Sequence, residues 1–171
     1  MVDAALGRGD GVVESGAGQT GTEPAGSLDP GTSEQCVTGV KAELDRLMEV
    51  FLGAFDNRGG RHANVGVVRE VFIPEGMIIS NVAGQTVIYD LDGFVAPRER
   101  ILSDGTLTEF SEWEVAERTE IFGTVAHRFS EYGKSGFRDG EWFEGAGRKT
   151  TQFLRTPDGW RMSSMAWDDV R

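Results

Sequence analysis

The chain has 171 residues, with 28 Asp and Glu against 17 Lys and Arg, and a net charge of −11 at pH 7. That length suits one domain with a full core, and the acidic balance excludes nucleic acid or an anionic membrane surface as partner. No run approaches the about 20 apolar residues that span a bilayer, and the single cysteine, Cys36, excludes an intrachain disulfide, so a reducing cytoplasm is the expected setting.

Residues 1–31 hold eight glycines, no aromatic residue, and five acidic residues against Arg8 alone. Such a stretch buries too little apolar surface to offset chain entropy and reads as a disordered acidic tail; a mis-assigned start codon is a second reading. It also lacks the charged start and apolar stretch of a secretory signal. The expected domain is residues 32–171. Thr32 and Gln35 have capping-box spacing, and Val37, Val40, Leu44, Leu47, Met48, Phe51, Leu52 and Phe55 place one apolar stripe on a helix of about six turns. Asn57, Gly59 and Gly60 stop it.

Val65, Val68 and Phe72 predict a short second helix ending at Pro74, followed by a strand over residues 77–81 and a strand or extended arm over 85–89. Asp92 could cap a third helix carrying Phe94, Ile101 and Leu102. Pro97 would then clash with a carbonyl four residues back, so the helix is expected to start near Ala96. Beyond it the pattern alternates with period two over residues 107–121, 124–132, 142–154 and 160–167. Gly123, Asp139-Gly140 and Pro157-Asp158-Gly159 supply the turns of an antiparallel meander. The Gly145-Ala146-Gly147 stretch opens no helix, which excludes a phosphate loop, and inside a strand it predicts a bulge.

Alternation puts Val125, His127 and Phe129 on one face and Ala126, Arg128 and Ser130 on the other. The first is more apolar and is the expected pocket wall. A histidine there could give and take a proton in the neutral range; a core histidine held by a neighbouring carboxylate or hydroxyl is the competing reading. Glu112 and Glu114 share a face with Arg118 and Glu120, which suits a solvated face pairing with Arg128 or Arg148 better than a catalytic carboxylate pair. Glu109 shares the face of Trp113 and Val115 and remains a binding candidate. Trp113 and Trp167 suit packing or the pocket mouth, and Tyr89 could present a hydroxyl to the cavity.

The segments FLGAFDN (51–57), FIPEGMIIS (72–80), FVAPRERILSDG (94–105), VAHRFSEY (125–132) and QFLRTPDGWRMSSMAW (152–167) occur in this order. In order and spacing they resemble the nuclear-transport-factor-2-like superfamily, which includes ketosteroid isomerase and the SnoaL-like polyketide cyclases. The likeness covers roughly residues 35–169 and is nearest to a bacterial branch without assigned function. It implies a cone-shaped α+β barrel, with about three N-terminal helices packed on a curved, mostly antiparallel sheet ending in a four-strand meander. It further implies a dimer formed through the sheet. The isomerase branch would place a tyrosine where this chain has Phe51, and an aspartate base where it has Ser80 and Asn81. The nearest counterpart of its protonated aspartate is His127. Phenylalanine cannot donate a hydrogen bond to an enolate and neither Ser80 nor Asn81 is a useful base, so that chemistry is not expected.

The expected function is therefore small-molecule binding in an apolar pocket, for a compact ligand that could bear a carbonyl. Phe51, Phe55, Trp113, His127, Trp167 and Glu109 are the candidate ligand-binding residues, with Asn81 and Tyr89 as polar anchors. The enzyme alternative is a cofactor-independent isomerase, cyclase or dehydratase, in which His127 moves a proton and Asn81 or Tyr89 stabilises an oxyanion. A third reading is an interaction module whose pocket is filled, with a cavity well below about 300 Å³. No cofactor fingerprint and no metal-type Cys and His cluster is present in the sequence.

Overall fold

In the first helix, apolar residues at three- and four-residue spacing build one buried stripe that packs on the sheet. The computed structural model describes the backbone of residues 30–170 and the side chains of residues 38–170. Residues 1–29 of the expected tail and the side chains of the Thr32 and Gln35 capping box therefore lie outside what is described, while residues 30–31 of that tail are already helical. Helix α1 (Pro30–Gly53) begins ahead of Thr32. Its stripe of Val40, Leu44, Met48, Phe51 and Leu52 is buried, each large side chain contributing about 1.5–3 kcal/mol of burial.

Asn57 does more than end this helix. Its buried amide donates to the carbonyls of Leu102 (3.1 Å) and Leu107 (2.7 Å), and its side-chain oxygen accepts from the Phe110 N–H at 2.7 Å. One side chain thus ties the end of α1 to the segment where the third helix gives way to the long strands.

The second helix is shorter than the sequence predicts. A 3₁₀ turn (Val65–Val67) leads into α2 (Val68–Val71), and strand β1 (Phe72–Ser80) starts at once, taking in Pro74. Strand β2 (Val87–Tyr89) pairs with it antiparallel. Helix α3 (Leu91–Ser103) starts earlier than Pro97 suggests. The Asp90 carboxylate caps it, accepting from the Gly93 N–H at 2.7 Å. The residue four back from Pro97 is Gly93, and the proline sits on an exposed side, where water can serve the freed carbonyl. Arg98 donates from Nη1 to the Phe94 carbonyl at 2.9 Å.

Strands β3 (Leu107–Phe122), β4 (Val125–Arg138), β5 (Glu141–Thr156) and β6 (Gly159–Asp169) form the expected meander, each a little longer than the alternation suggests. Asp139 and Gly140 both have positive φ, 52° and 83°, as a two-residue hairpin turn demands. One six-stranded sheet results, in the order β2-β1-β6-β5-β4-β3, with β1 parallel to β6 and all other pairs antiparallel. Register shifts in β1, in β3 and at Gln152/Phe153 bend this sheet around the helices. No helix among the described residues is long and apolar enough to cross a membrane.

Two expectations about the strands are corrected. The face of Val125, His127 and Phe129 is the outer, exposed one, while Ala126, Arg128, Ser130 and Tyr132 face the helices. In β3 a register shift between Glu114 and Ala116 flips the alternation, so Glu117 joins Glu112 and Glu114 on the helix side, where it meets Lys41 and Arg128, while Arg118 and Glu120 face solvent. Gly145 and Gly147 form no bulge, since β4 and β5 pair without a break there. They are glycines because a Cβ at Gly147 would lie 2.5 Å from the Tyr132 hydroxyl, and one at Gly145 would lie 2.9 Å from Lys134 Cε.

Candidate functional site

Between α3, the end of α1 and the concave sheet lies a cavity of about 370 Å³. Its apolar wall is an aromatic cluster centred on Phe94, whose ring lies 6.0 Å from Phe55, 6.3 Å from Phe51 and 6.2 Å from Trp167. Phe51 and Phe55 meet edge to face at 5.3 Å. They come together because α1 presents its last turn to α3, and Asn57 fixes that end. Pro97, Ile101, Leu102, Leu107, Phe110, Phe143 and Met165 complete the apolar lining.

The floor is a polar row running across four strands. Tyr132 of β4 donates its hydroxyl to Asp169 of β6 at 2.6 Å, and Lys134 of β4 donates to both Asp169 oxygens at 2.8 Å. These side chains reach over β5 because Gly145 and Gly147 leave the way open. Lys149 of β5 is buried, bonds Glu112 of β3, and holds its ammonium 4.1 Å from the centre of the Tyr132 ring. Burial first, and then the bond to Asp169, push the Tyr132 phenol well above its ordinary value. It is therefore a permanent hydrogen-bond group and not a base.

Arg98 closes the row from the helix side. Its guanidinium lies 3.6 Å from the Phe94 ring centre, 5.2 Å from Tyr89 and 6.0 Å from Trp167, an aromatic clamp of the cation–π kind. Burial pushes this guanidinium below its ordinary value, against smaller opposing effects of Tyr89 and Glu112. It remains charged all the same.

A larger open cleft of about 670 Å³ runs between α1 and β3. Most of its charges are bound to one another. Arg128, 3% exposed, meets Asp45 and Glu114 at 2.7 Å and Glu117 at 3.5 Å, while Lys41 bridges Asp45 (2.5 Å) and Glu117 (2.9 Å). The smaller cavity is the better ligand site, because apolar enclosure with a few convergent polar groups is what small molecules use.

Of the residues singled out by sequence, Phe51, Phe55 and Trp167 line the cavity. Tyr89 stands behind its wall, edge-on to Phe94 at 6.0 Å. The others lie elsewhere. His127 is on the outer face, its side chain 49% exposed and 3.7 Å from Glu120. Trp113 lies on the same outer face, 46% exposed, over Gly133, where a Cβ would come within 2.6 Å of the indole. Glu109 is turned away by the register shift after Thr108, takes a positive φ of 49°, and accepts the Gly59 N–H at 3.0 Å. Asn81 is exposed and accepts from the Thr86 hydroxyl at 2.6 Å. Sequence reasoning missed Arg98, Glu112, Lys134, Lys149, Tyr132 and Asp169. A signal was present for part of this set: Tyr132 and Lys134, two apart on one strand, face Gly147 and Gly145, two apart on the next.

Among the described residues no group of three or more His, Cys, Asp or Glu could hold a metal ion. No family profile matches the sequence, and no curated protein is similar to it in sequence. Solved structures do resemble it. A nuclear transport factor 2-like superfamily protein from Salmonella enterica superposes with a TM-score of 0.66 at 15% identity, over 79% of this chain and 94% of that one. An NTF2-like protein with a cystatin-like fold from Novosphingobium aromaticivorans gives 0.62 at 15% identity, over 85% and 92%. LinA gives 0.67 at 15% identity, over 81% and 91%.

Proposed function

We propose that this chain, which has the nuclear-transport-factor-2-like fold, binds one compact small molecule with an apolar body and a polar, carbonyl-type end. The observation that carries the reading is the cavity itself: about 370 Å³, aromatic on the helix side and polar along the floor. That volume lies above the roughly 300 Å³ at which ligand pockets begin, which speaks against an interaction module with a filled pocket. The enzyme alternative built on His127 is withdrawn, because its imidazole lies across the sheet from the cavity. The cytoplasm, where a single thiol stays reduced, remains the proposed setting.

The test is methyl-detected NMR during titration with small aromatic carbonyl compounds. Met165 lines the cavity and Met77 lies on the exposed outer side. The Met165, Ile101 and Leu102 methyls are expected to shift together while Met77 stays still. Shifts confined to Met77 and its neighbours would remove the cavity from the account.

The outer face supports a second element of the reading, a dimer of two copies of this chain. Trp113, Val125, Phe129 and Trp142 are 46%, 45%, 42% and 52% exposed there, more apolar surface than a lone sheet face usually leaves in water. Equal faces pack on each other across a twofold axis. Phe129→Glu is expected to turn a dimer into a monomer in sedimentation velocity; a wild-type chain that sediments as a monomer would end this element.

A further inference from the structure

The cavity is cationic although the chain as a whole is strongly acidic. Arg98, Lys134, Arg138 and Lys149 line it, and the carboxylates at hand are Glu112, which bonds Lys149, and Asp169, which bonds Lys134. Four cations therefore meet two carboxylates. Among the described residues no carboxylate forms an ion pair with Arg98, whose contacts are the Phe94 carbonyl, a side-chain hydrogen bond to Tyr89, and the rings of Phe94, Tyr89 and Trp167. Glu112 acts on it from a distance but is already engaged by Lys149. Arg138 stands at the exposed rim, 5.9 Å from Phe143.

A guanidinium without a carboxylate partner, held among aromatic rings inside a half-enclosed cavity, is costly unless something neutralises it. The rings and the bonds to Phe94 and Tyr89 hold it in place, and a guanidinium edge still free can present two parallel N–H donors to a planar anion. Resting on the ligand-binding reading above, we infer that the natural ligand is a compact monocarboxylate, whose carboxylate is received by Arg98 while its apolar body lies among Phe51, Phe55 and Phe94. Lys149 does not compete for it, because Glu112 holds its ammonium over Tyr132. The polar floor instead suits a second, uncharged oxygen on the ligand, which can accept from Lys134 or Lys149. A phosphate would suit the site less, since a tetrahedral dianion needs a round nest of donors and not one flat fork.

The test compares 3-phenylpropanoate with 3-phenylpropanamide, which has the same shape without the charge, by isothermal titration calorimetry on the full chain. The acid is expected to bind the wild type at least about tenfold more tightly than the amide, as a hydrogen bond to a charged group implies. In Arg98→Gln the difference between acid and amide should vanish, with wild-type methyl positions for Met162 and Ile78 in the core as evidence of an intact fold. Equal affinities in the wild type, a comparison that needs no variant, would overturn the carboxylate inference and leave the cavity reading standing. A preference that survives Arg98→Gln overturns the assignment to Arg98. Failure of both compounds to bind overturns the inference together with the reading it rests on.

Discussion

Between α1 and the concave sheet face lie two cations and three carboxylates, Lys41 and Asp45 from the helix and Arg128, Glu114 and Glu117 from the sheet, and every one of them has a partner within 3.5 Å. Under α3, a few residues along the same strands, four cations line a cavity with two carboxylates, and Arg98 faces aromatic rings instead of an anion. Both regions bring charge out of water. The first settles that cost inside the chain and so holds helix to sheet, while the second leaves it for a molecule from outside. A charged cluster thus speaks for stability or for binding according to whether its own members close the balance.

This contrast is open to attack from both sides. The largest effect is expected from Arg128→Met, which strips three carboxylates of their buried partner and should cost about 3 kcal/mol in urea denaturation. Binding of a carboxylate probe to the folded variant should stay within about twofold, as for independent sites. A stable variant that loses binding would erase the distinction between the regions. Next, Gly147→Ala places a methyl against the Tyr132 hydroxyl and the Asp168 carbonyl. Overpacking there should cost about 2 kcal/mol by the same method, and it should weaken probe binding as well, because Tyr132 must leave the floor. A neutral substitution would mean that the floor is not built as described.

The smallest expected effect is that of pH. Burial opposes the charge of Asp45 and Glu117, but Lys41 and Arg128 beside Asp45, and Thr119 with Lys41 beside Glu117, hold both carboxyls below their ordinary values of 3.8 and 4.5. Groups depressed in the folded state stabilise it above their ordinary values, and that stability is lost as pH falls through the folded ones. Urea midpoints should therefore be flat from neutral pH down to about 5 and then drop, and the drop should be shallower in Arg128→Met. A midpoint that rises on acidification would contradict the pairing under α1.

The long strands and their turns were legible because period-two alternation and pairs such as Asp139-Gly140 are local signals. Three of the cavity residues, Phe51, Phe55 and Trp167, were legible for the same reason, as apolar positions at the ends of strongly patterned elements. Which face of the sheet looks inward was not. Arg128 and Ser130 are buried and Phe129 is exposed, so the rule that the more apolar face turns inward gave the wrong side for His127 and Trp113. The inner face is polar there because the ion pairs under α1 satisfy it. The register shifts in β3 hid Glu109 and Glu117 in a similar way, since one extra residue flips every side chain that follows. The floor of the cavity was the hardest to read: Tyr132 and Asp169 lie 37 residues apart, as do Glu112 and Lys149, and only sheet register brings them together.

The central claim is that the space beneath α3 receives a small molecule. Native mass spectrometry of the full chain, purified from its own host without denaturation, tests it most directly. The account predicts one small organic acid for each chain, and its loss in a Leu102→Trp variant that fills the cavity. A bare wild-type chain that also stays bare when mixed with excess 3-phenylpropanoate would contradict it.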